Sequence, residues 1–576
     1  MPPRQTTRPT AADVASVPFD LIVVGAGING AGIARDAALR GLRILLLDKG
    51  DVAGGTTSWS TRLIHGGLRY LEHREIGLVR ESLRERERLL RIAPHLVQPL
   101  PLIIPIYRGD KRGPFLIRLG MIAYDVLSFD KSLPRHRLLN RAEALRRVPG
   151  LDPAGLLGAA VYYDGQVAYA ERLAVENALA ARQHGATLLT YARVDRLLVD
   201  QNAVRGVAFT DLLAGESPGV AHAPVVVNVA GPWVDHVLTS PSGPTTQERM
   251  IGGTKGSHIV VDPFPGAPHD ALYVEARQDG RPFFIVPWNG LYLIGTTDTR
   301  YTGDLDHVEV TPSEIAYLIA ETNCVIPTAA LTPSTVAFTY AGIRPLPYQT
   351  NGREGAITRR HVIHDHSKNG GPSGLLSIVG GKLTTYRELA EQTIDAVYRT
   401  LHRPVPPCRT ATTPLPGATF PPGEDLAAFR ACFATESELP PRTVDHLLRT
   451  YGSRAAELLT LASTPDLRQP FDPLSGAIAA EVIFAFEREA AETLADVLLR
   501  RTMVGLGPNA GVGPDETAAA IAHRHLGWST ARASREIAAY RTFVARFHPR
   551  ALLAGDPAPA ATAADALPSI STAVAH

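Results

Sequence analysis

Seven polar side chains in or beside glycine-containing segments carry the chemistry that this chain could perform. Four of them are cationic and three are aromatic, and they are Arg69, Arg344, Arg359, Lys382, His65, Tyr70 and His258. Arginine binds phosphate and carboxylate groups through paired hydrogen bonds. Because the net charge of the chain is only +1, a local cationic cluster would indicate one specific small anion. Spacing alone shows neither that these residues meet nor which anion they bind.

A phosphate-binding fingerprint lies at residues 19–48. The apolar run FDLIVV predicts a buried strand, and Gly25, Gly27 and Gly30 then form G-x-G-x-x-G before a helix and a second strand that ends at Asp48. The glycines permit a tight turn, close approach of a pyrophosphate and close packing of the helix, whose N-terminus attracts phosphate. Asp48 can accept hydrogen bonds from a ribose diol. The unit predicts a bound dinucleotide, and NAD and FAD both fit it.

Three later segments also place glycine turns beside strands or helices. They are TRLIHGGLRYLE with His65, VVVNVAGPWVDHV with Gly231, and LLSIVGGKLTTYRELAE with Gly381. In the third segment, Lys382 and Thr384 stand at the start of a predicted helix, where anions and electron-rich rings are favoured. We therefore expect one cofactor domain assembled from discontinuous segments.

Composition limits the class of protein. The 576 residues are 45% hydrophobic and 20% charged, which is typical of a globular protein with two or three domains. Cys324, Cys408 and Cys432 form no C-x-x-C pair, so no disulfide framework, zinc site or iron–sulfur site is predicted and a reducing compartment is favoured. Redox chemistry must then depend on an organic cofactor. The near-zero net charge gives no indication of a nucleic-acid partner.

Membrane insertion is not predicted, since no apolar run reaches the length of a membrane span. The first residues lack the apolar stretch of a secretory signal, so we expect a cytoplasmic protein. A short helix within 109–131 is different, because apolar residues cover nearly all its sides and Lys111, Arg112 and Arg118 stand near its start. This helix either packs in the core or lies in the headgroup layer of a membrane.

The order of segments predicts five regions. They are a disordered lead-in (1–17), an oxidoreductase region (18–402), a proline-rich linker (403–424), a helical C-terminal domain (425–552) and a disordered tail (553–576). Within the second region, the expected cofactor segments are 18–90, 160–237 and 336–402, and the expected substrate or cap segments are 91–159 and 238–335. Alternating strands between 250 and 300 predict an antiparallel sheet.

Eight motifs in this order together resemble one family. They are GAGINGAGIARDAALRG, TRLIHGGLRYLE, AGPW, KGSHIVV, GTTD, GIRPL, ITRRH and GGKLTTYRELAE. With the helical segment at 480–505, they resemble the FAD-dependent glycerol-3-phosphate dehydrogenases of the respiratory, aerobic type. The resemblance implies an α/β fold: a Rossmann-type FAD-binding domain like those of glutathione reductase and amino-acid oxidases, an inserted antiparallel-sheet substrate domain and a helical C-terminal domain.

The resemblance also implies a reaction. FAD rather than NAD would accept hydride from C2 of sn-glycerol 3-phosphate, giving dihydroxyacetone phosphate in glycerol and glycerophospholipid catabolism. A membrane quinone would then take the electrons (EC 1.1.5.3). Arg69, Tyr70, Arg344 and Arg359 would bind the substrate, with the arginines on its phosphate. Lys382 and His258 are candidates for the base, and Arg344 for a further catalytic role. Lys382 could instead stabilise negative charge on the reduced flavin.

The expected FAD contacts follow the fingerprint and the glycine turns, and no metal is expected. The contacts are Gly25, Ala26, Gly27, Asn29, Gly30, Asp48, Lys49, Thr57, Ser58, Arg62, Leu63, His65, Gly66, Gly67, Val194, Ala230, Gly231, Gly342, Gly381, Lys382, Leu383 and Thr384. The chain departs from the family at Asp48, where glutamate is usual, and at Arg62, where lysine is common. It also lacks the cysteine-rich C-terminal module of the anaerobic multi-subunit enzymes.

Three alternatives remain open at this point. The chain could be an oxidase that passes electrons to oxygen, a related flavoprotein that oxidises a 2-hydroxy acid or an amine, or a flavin-binding protein without catalysis. A quinone reducer should contact the bilayer on the inner face of the cell membrane, and residues 111–127 are the candidate contact. The oligomeric state, a homodimer included, and the role of the C-terminal domain are not determined by the sequence.

Overall fold

A six-stranded sheet forms the base of the cofactor region. The computed structural model describes residues 8–72, 75–239, 249–350 and 357–553, without the side chains of Arg69 and Glu72. Five strands are parallel, and Val362–Asp365 joins one edge in the antiparallel direction. The order across this parallel sheet is Val362–Asp365, Leu375–Val379, Val226–Asn228, Leu21–Val24, Ile44–Leu47 and Thr187–Leu189.

Helices cover one face of the parallel sheet and a smaller sheet covers the other. The helices are Ile28–Leu39, Ala170–Gln183 and Tyr386–Thr400. Small residues let them approach closely, since a Cβ added at Gly32 would lie 2.7 Å from the Tyr386 ring. Elements on the opposite face are the helices Ala11–Ala15 and Val234–Leu238 and the antiparallel strands Ala192–Asp200, Ala203–Asp211 and Ser217–His222. Apolar residues on both faces explain why the parallel strands are continuously hydrophobic.

A ten-stranded, mostly antiparallel sheet forms the second layer. Along its main path the strands are Thr299–Arg300, Thr254–Val261, Leu291–Gly295, Pro282–Trp288, Ala271–Glu275, Val97–Tyr107, Leu156–Val167 and Leu63–Ile64. Val336–Arg344 also pairs with Thr254–Val261, and Arg137–Asn140 pairs with Leu156–Val167. The flanking helices are Arg69–Glu72, Ile76–Ile92, Pro114–Leu127, Arg141–Arg147 and Pro312–Val325. The antiparallel sheet predicted between 250 and 300 is confirmed.

The predicted boundary at residue 336 cuts this large sheet. The prediction grouped 336–402 with the cofactor segments, whereas Val336–Arg344 pairs along the whole length of Thr254–Val261. Its far end nevertheless reaches the cofactor region, where a Cβ added at Gly342 would lie 2.8 Å from Cβ of Trp59. One strand therefore links the two layers.

The C-terminal region is helical, as predicted, and packs on one face of the large sheet. Its elements are Leu426–Ser437, Pro441–Tyr451, Ala455–Leu461, Ala479–Arg488, Leu494–Asp496, Pro514–Leu526, Thr530–Ala545 and Arg550–Leu553, with a π-helix at Val497–Arg501 and a small hairpin of Pro470–Asp472 and Ala477–Ile478. Side chains of the sheet such as Trp288 and Phe338 share one apolar core with Phe484 and Leu498. The C-terminal domain is therefore packed against the ten-stranded sheet through a shared core.

The lead-in from residue 8 and the linker both contact the folded domains. From residue 8 the predicted disordered lead-in is wrong, because Arg8 donates to both oxygens of Asp211 at 2.8 and 2.9 Å. The linker 403–424 lies against the cofactor domain, where Leu415 is fully buried and its N–H donates to the carbonyl of Ile92 at 2.9 Å. Residues 1–7 and, apart from Leu553, the predicted tail lie outside the described residues.

The helix Pro114–Leu127 combines both alternatives proposed for it. Ile117, Met121 and Tyr124 are buried, and the Tyr124 hydroxyl donates to Asp164 at 2.7 Å. The opposite face is open to solvent, and its exposed residues are Phe115, Leu116, Leu119, Ile122 and Val126. Within the described part of the chain, no helix is both long enough and apolar enough to cross a bilayer.

Candidate functional site

The glycine turn after the first strand is as tight as its sequence predicts. Gly25 has φ of +111°, and an added Cβ would lie 2.7 Å from the carbonyl oxygen of Val229. A Cβ at Gly30 would overlap the carbonyl oxygen of Gly25. The start of the helix Ile28–Leu39 is thereby held against the strand ends, and the N–H of Ile28 donates to Oγ1 of Thr57 at 3.0 Å. Gly27, Ile28 and Asn29 line the space in front of the strands, where a helix N-terminus favours phosphate.

Asp48 shapes this turn from the neighbouring strand. Its Oδ2 accepts a hydrogen bond from the N–H of Ala26 at 2.6 Å, and its Oδ1 accepts one from Gly50 at 2.8 Å. Burial raises the pKa of the Asp48 carboxyl. A carboxylate oxygen has a second lone pair, so the predicted bond to a ribose hydroxyl remains compatible with these contacts.

A groove of about 740 Å³ runs in front of the turn, within the size range of cofactor sites. Thirteen of the predicted cofactor residues line it: Gly25, Gly27, Asn29, Asp48, Lys49, Thr57, Val194, Ala230, Gly231, Gly342, Gly381, Lys382 and Leu383. They come from five separate stretches of the chain. The discontinuous segments predicted from the sequence therefore meet along one surface.

Unpaired polar atoms in the groove fit a polar ligand. The Oδ1 atom of Asn29 and the Nε1 atom of Trp233 are buried and have no hydrogen-bond partner among the described residues. Both residues line the groove. Leaving such an atom unpaired costs about 1–3 kcal/mol, which a bound dinucleotide could recover. Lys49 adds a cation 4.3 Å from the centre of the Trp233 ring. These residues fit a dinucleotide with its pyrophosphate on the glycine turn.

Several predicted cofactor residues lie behind the groove wall. Ser58 donates to the carbonyl of Ala53 at 2.7 Å, and Leu63 lies in the apolar core. Arg62 is fully buried and donates to both oxygens of Glu171 at 2.7 and 2.8 Å. Their side chains stabilise the loop that carries Thr57. Direct contact of these three side chains with a cofactor remains a prediction.

The HGG turn is fastened to the third glycine turn. The N–H of His65 donates to Oγ1 of Thr384 at 3.1 Å, and the N–H of Gly66 donates to the Tyr124 hydroxyl at 2.9 Å. A Cβ at Gly67 would overlap the ring of Tyr70. These contacts bring Tyr70 next to Lys382.

Near Lys382, two arginines donate hydrogen bonds to the carboxylate of Asp298. Arg344 donates from Nη1 to Oδ1 of Asp298 at 3.0 Å, and Arg359 donates from Nη2 to Oδ2 at 3.3 Å. Burial opposes ionisation of Asp298, but the charges of Arg344 and Arg359 lower its pKa below the usual range. Arg344 also donates to Oγ1 of Thr296 at 3.0 Å. Asp298 thus holds two sequence-predicted substrate residues, Arg344 and Arg359, side by side.

Lys382 connects this cluster to the groove. It lines the groove, its Nζ donates to Oγ of Ser82 at 3.0 Å, and it lies 3.9 Å from the centre of the Tyr70 ring. Burial, assisted by Arg359 and opposed by Glu81 and Glu75, lowers the pKa of Lys382 to about 7. A large fraction of this amine is therefore neutral near pH 7.

His258 is close to the cluster but deeply buried. Its Nε2 is 2.9 Å from Oγ1 of Thr61, and its Nδ1 has no hydrogen-bond partner within the described ranges. Burial, with the charges of Arg344 and Arg62, lowers the pKa of His258 well below its usual value. Its imidazole is neutral at physiological pH.

The side chain of Arg69 lies outside the described residues, so its predicted role is not tested.

Sequence reasoning missed four groups that the structure places at the site. Asp298 was present in the GTTD motif, and this motif was the available signal. Trp59 and Trp233 also line the groove. Trp233 belongs to the AGPW motif, which was its available signal, whereas Trp59 has no local signature. Arg500, from the C-terminal domain, lines it as well. Its contact with residues some 450 positions earlier could not be read from sequence patterns.

Comparisons with known proteins agree with this geometry. A family model described as "FAD dependent oxidoreductase" matches residues 20–387, and one described as "C-terminal domain of alpha-glycerophosphate oxidase" matches residues 408–533. The chain is 49% identical over 547 residues to a glycerol-3-phosphate dehydrogenase of Synechocystis sp., covering 92% of this chain and 97% of that protein. It is 36% identical over 538 residues to glycerol-3-phosphate dehydrogenase 2 of Mycobacterium tuberculosis, covering 91% and 87%.

A solved structure is similar over nearly the same extent. It is the glycerol-3-phosphate dehydrogenase from Bacillus halodurans complexed with FAD, with a TM-score of 0.75 and 28% identity, covering 93% of this chain and 96% of that one. The predicted fold class and the choice of FAD over NAD are confirmed. The chain belongs to the family of FAD-dependent glycerol-3-phosphate dehydrogenases.

Proposed function

We propose that the protein oxidises sn-glycerol 3-phosphate to dihydroxyacetone phosphate. The observation that carries the proposal is the convergence of Arg344 and Arg359 on Asp298 beside the groove. Paired guanidinium groups match the several oxygens of a phosphate, and their charge is weakly screened in a half-buried site. The names of the similar proteins support the same substrate.

The two arginines would fix the substrate by its phosphate. Bound FAD supplies the hydride acceptor for carbon C2. With the phosphate held, the C2 hydroxyl can be presented to a proton-accepting side chain at constant geometry, which is worth several orders of magnitude in rate. Asp298 would act as a positioning residue, because it orients both guanidinium groups before substrate arrives.

Lys382 is the better supported proton acceptor of the two candidates. It lines the groove, and its lowered pKa of about 7 makes the neutral amine available. An acid–base group works best when its pKa is near the working pH. His258 is farther from this optimum, because its pKa is lowered well below 6.5 and it does not line the groove. We therefore assign a structural role to His258, which is hydrogen-bonded to the Thr61 hydroxyl.

We further propose a membrane quinone as the electron acceptor. The support is the exposed apolar face of Pro114–Leu127, where Phe115 is 81% and Leu119 is 53% exposed. Together with the nearby Lys111 and Arg118, this face suits the interface of an anionic bilayer. The protein would lie on the inner face of the cell membrane, where it receives a cytoplasmic substrate and reduces a lipid-soluble acceptor.

A steady-state assay separates this function from its alternatives. The substrates are sn-glycerol 3-phosphate, glycerol, a 2-hydroxy acid and an amino acid, each with a quinone, a dye or oxygen as acceptor. We expect turnover only with the phosphorylated substrate, fastest with quinone. Faster turnover with oxygen and stoichiometric peroxide would make the protein an oxidase. Turnover of glycerol or the amino acid at comparable concentration would reject the phosphate site.

Vesicle sedimentation tests the membrane contact independently. The probe is phosphatidylglycerol–phosphatidylethanolamine vesicles, and the variants are Phe115→Lys and Leu119→Lys. Each exposes a charge instead of a side chain whose burial is worth about 1.5–3 kcal/mol, so binding should fall at least tenfold. Leu474→Lys is the control, since Leu474 is an exposed apolar residue of the C-terminal domain. Equal binding by all three folded variants would contradict the proposed contact.

A further inference from the structure

The C-terminal domain forms part of the wall of the cofactor groove. Five of its residues line the groove together with the glycine turn: Ala495, Arg500, Phe543, Arg546 and Phe547. Part of the groove wall is therefore contributed by a domain that contains none of the predicted FAD-binding motifs. A domain with this position can affect how tightly FAD is held.

A buried ion cluster joins this domain to the loop that follows Asp48. Oδ2 of Asp51 accepts hydrogen bonds from Nε of Arg500 at 2.6 Å and from Nη1 of Arg501 at 2.8 Å. Oδ1 accepts one from Nη2 of Arg501 at 2.8 Å. The side chains of Asp51 and Arg501 are fully buried, and that of Arg500 is 6% exposed. Removing one partner from such a cluster leaves a buried charge uncompensated.

The cluster continues to the strand that borders the groove. Arg500 also donates to Oδ1 of Asp496 at 2.6 Å, and the same oxygen accepts the Tyr191 hydroxyl at 2.6 Å. The N–H of Tyr191 donates to the carbonyl of Gly50 at 3.0 Å. Arg500 lies in the π-helix Val497–Arg501, a rare local structure that frequently occurs at functional sites. The loop after Asp48 is thus held by Arg500 and Arg501 at Asp51 and by Tyr191 at Gly50.

A second contact fixes the other end of the same loop. The ring of Phe547 lies 4.8 Å from that of Trp59, centre to centre. The carbonyl of Phe547 accepts the N–H of Thr339 at 2.7 Å. Trp59 lines the groove beside Gly342. Residues 49–59, which include Lys49 and Thr57, are therefore held at both ends by the C-terminal domain.

We propose that the C-terminal domain retains FAD, with Asp51, Arg500 and Arg501 as positioning residues. The cluster keeps residues 49–59 against the glycine turn, so that the nucleotide half of FAD cannot leave without opening it. The proposal assigns a function to the domain and does not depend on the substrate or on the electron acceptor. It also predicts that cofactor loss and unfolding can be separated.

The test measures FAD release from the holoenzyme at a temperature at which the fold is intact. Arg500→Met removes one partner of Asp51 and leaves Arg501. Arg454→Met is the matched control, because Arg454 pairs with the buried Glu489, which keeps Arg172. Free FAD is separated by ultrafiltration over time, while circular dichroism follows the fold.

We expect Arg500→Met to release FAD at least tenfold faster than the wild type, and Arg454→Met to release it within twofold of the wild-type rate even if it unfolds earlier. Equal release by Arg500→Met and the wild type would overturn the proposal, as would release that only accompanies unfolding. If Arg500→Met does not fold, the rate of FAD release is measured with Arg500→Lys instead. It keeps the charge but cannot span Asp51 and Asp496 together, so FAD release should still be several-fold faster. Wild-type release would overturn the proposal.

Discussion

Asp51 and Asp298 are each held by two arginines, and the two clusters differ in their access to solvent. Asp51 is fully buried between Arg500 and Arg501, at distances of 2.6–2.8 Å. Asp298 lies between Arg344, which is 25% exposed, and Arg359, which is 10% exposed, at 3.0 and 3.3 Å. We call them the closed cluster and the open cluster. Similar residue types thus form two different environments.

The difference in access corresponds to a difference in function. In the closed cluster, the two arginines donate hydrogen bonds to Asp51, Asp496 and the carbonyl of Glu489 inside the protein, so we assign this cluster to holding residues 49–59 in place. In the open cluster, the arginines are less deeply buried and lie beside Lys382, where an external anion can approach. Composition cannot separate the two, since each contains one aspartate and two arginines. The surrounding contacts decide between a structural ion pair and a ligand site.

The largest expected effect is at Lys382, the amine next to the open cluster. Lys382→Met should lower kcat by about 10²–10⁴, the usual contribution of acid–base catalysis. In the wild type, kcat/KM should rise with pH through about 7, because Lys382 must lose its proton before it can accept one. Lys382→Arg should remove this step from the pH profile. Full activity of Lys382→Met at pH 7 would exclude Lys382 as the base.

A smaller effect is expected when the open cluster loses an arginine. Arg359→Ala should weaken substrate binding by about 3 kcal/mol, a factor on the order of 100 in KM, since a charge-assisted hydrogen bond to phosphate is lost. Bound FAD per protein, measured by absorbance, should stay at the wild-type ratio. An unchanged KM would show that Arg359 holds Asp298 only.

Asp298→Asn should have a milder effect than the loss of an arginine. Asparagine has the same shape, but the charge-assisted bonds to Arg344 and Arg359 are replaced by weaker ones, worth about 1.5 kcal/mol less. We expect KM to rise about tenfold, with a smaller change in kcat. Steady-state kinetics at fixed pH provide the measurement. A lower KM would mean that Asp298 competes with the substrate phosphate instead of orienting its partners.

Salt should affect the two clusters differently, with the smallest changes of the series. Screening acts mainly on exposed charges, so raising NaCl from about 0.05 to 0.5 M should increase KM several-fold through the open cluster. The rate of FAD release should change less than twofold, because the closed cluster is buried. Similar salt sensitivity of both quantities would remove the distinction between the clusters.

Local patterns predicted the parts of the molecule that short stretches determine. The turn at Gly25 and Gly30 and the antiparallel strands between 254 and 295 have the structures that their spacing indicates. Family resemblance correctly indicated FAD. Of the cationic residues chosen from glycine-flanked segments, Arg344, Arg359 and Lys382 do lie near one another.

Long-range contacts determined what the sequence could not show. Arg8 orders the lead-in through Asp211, about two hundred residues later. Arg86, on the helix Ile76–Ile92, is fully buried and donates to Asp164 at 2.6 Å, some eighty residues later in the chain. Arg500 reaches Asp51 from the other end of the chain. In each case, the partner is specified by the tertiary fold, so no periodicity or motif could identify it.

The most direct test of the open cluster as a phosphate site is anaerobic reduction of the bound flavin. The holoenzyme is mixed with sn-glycerol 3-phosphate or, separately, with glycerol, and loss of the flavin absorbance band is recorded. We predict complete bleaching by sn-glycerol 3-phosphate, and no bleaching by glycerol at the same concentration. Arg359→Ala should need about 100-fold more substrate for half-maximal bleaching. An unchanged flavin spectrum with sn-glycerol 3-phosphate, or an equal response to glycerol, would contradict the account.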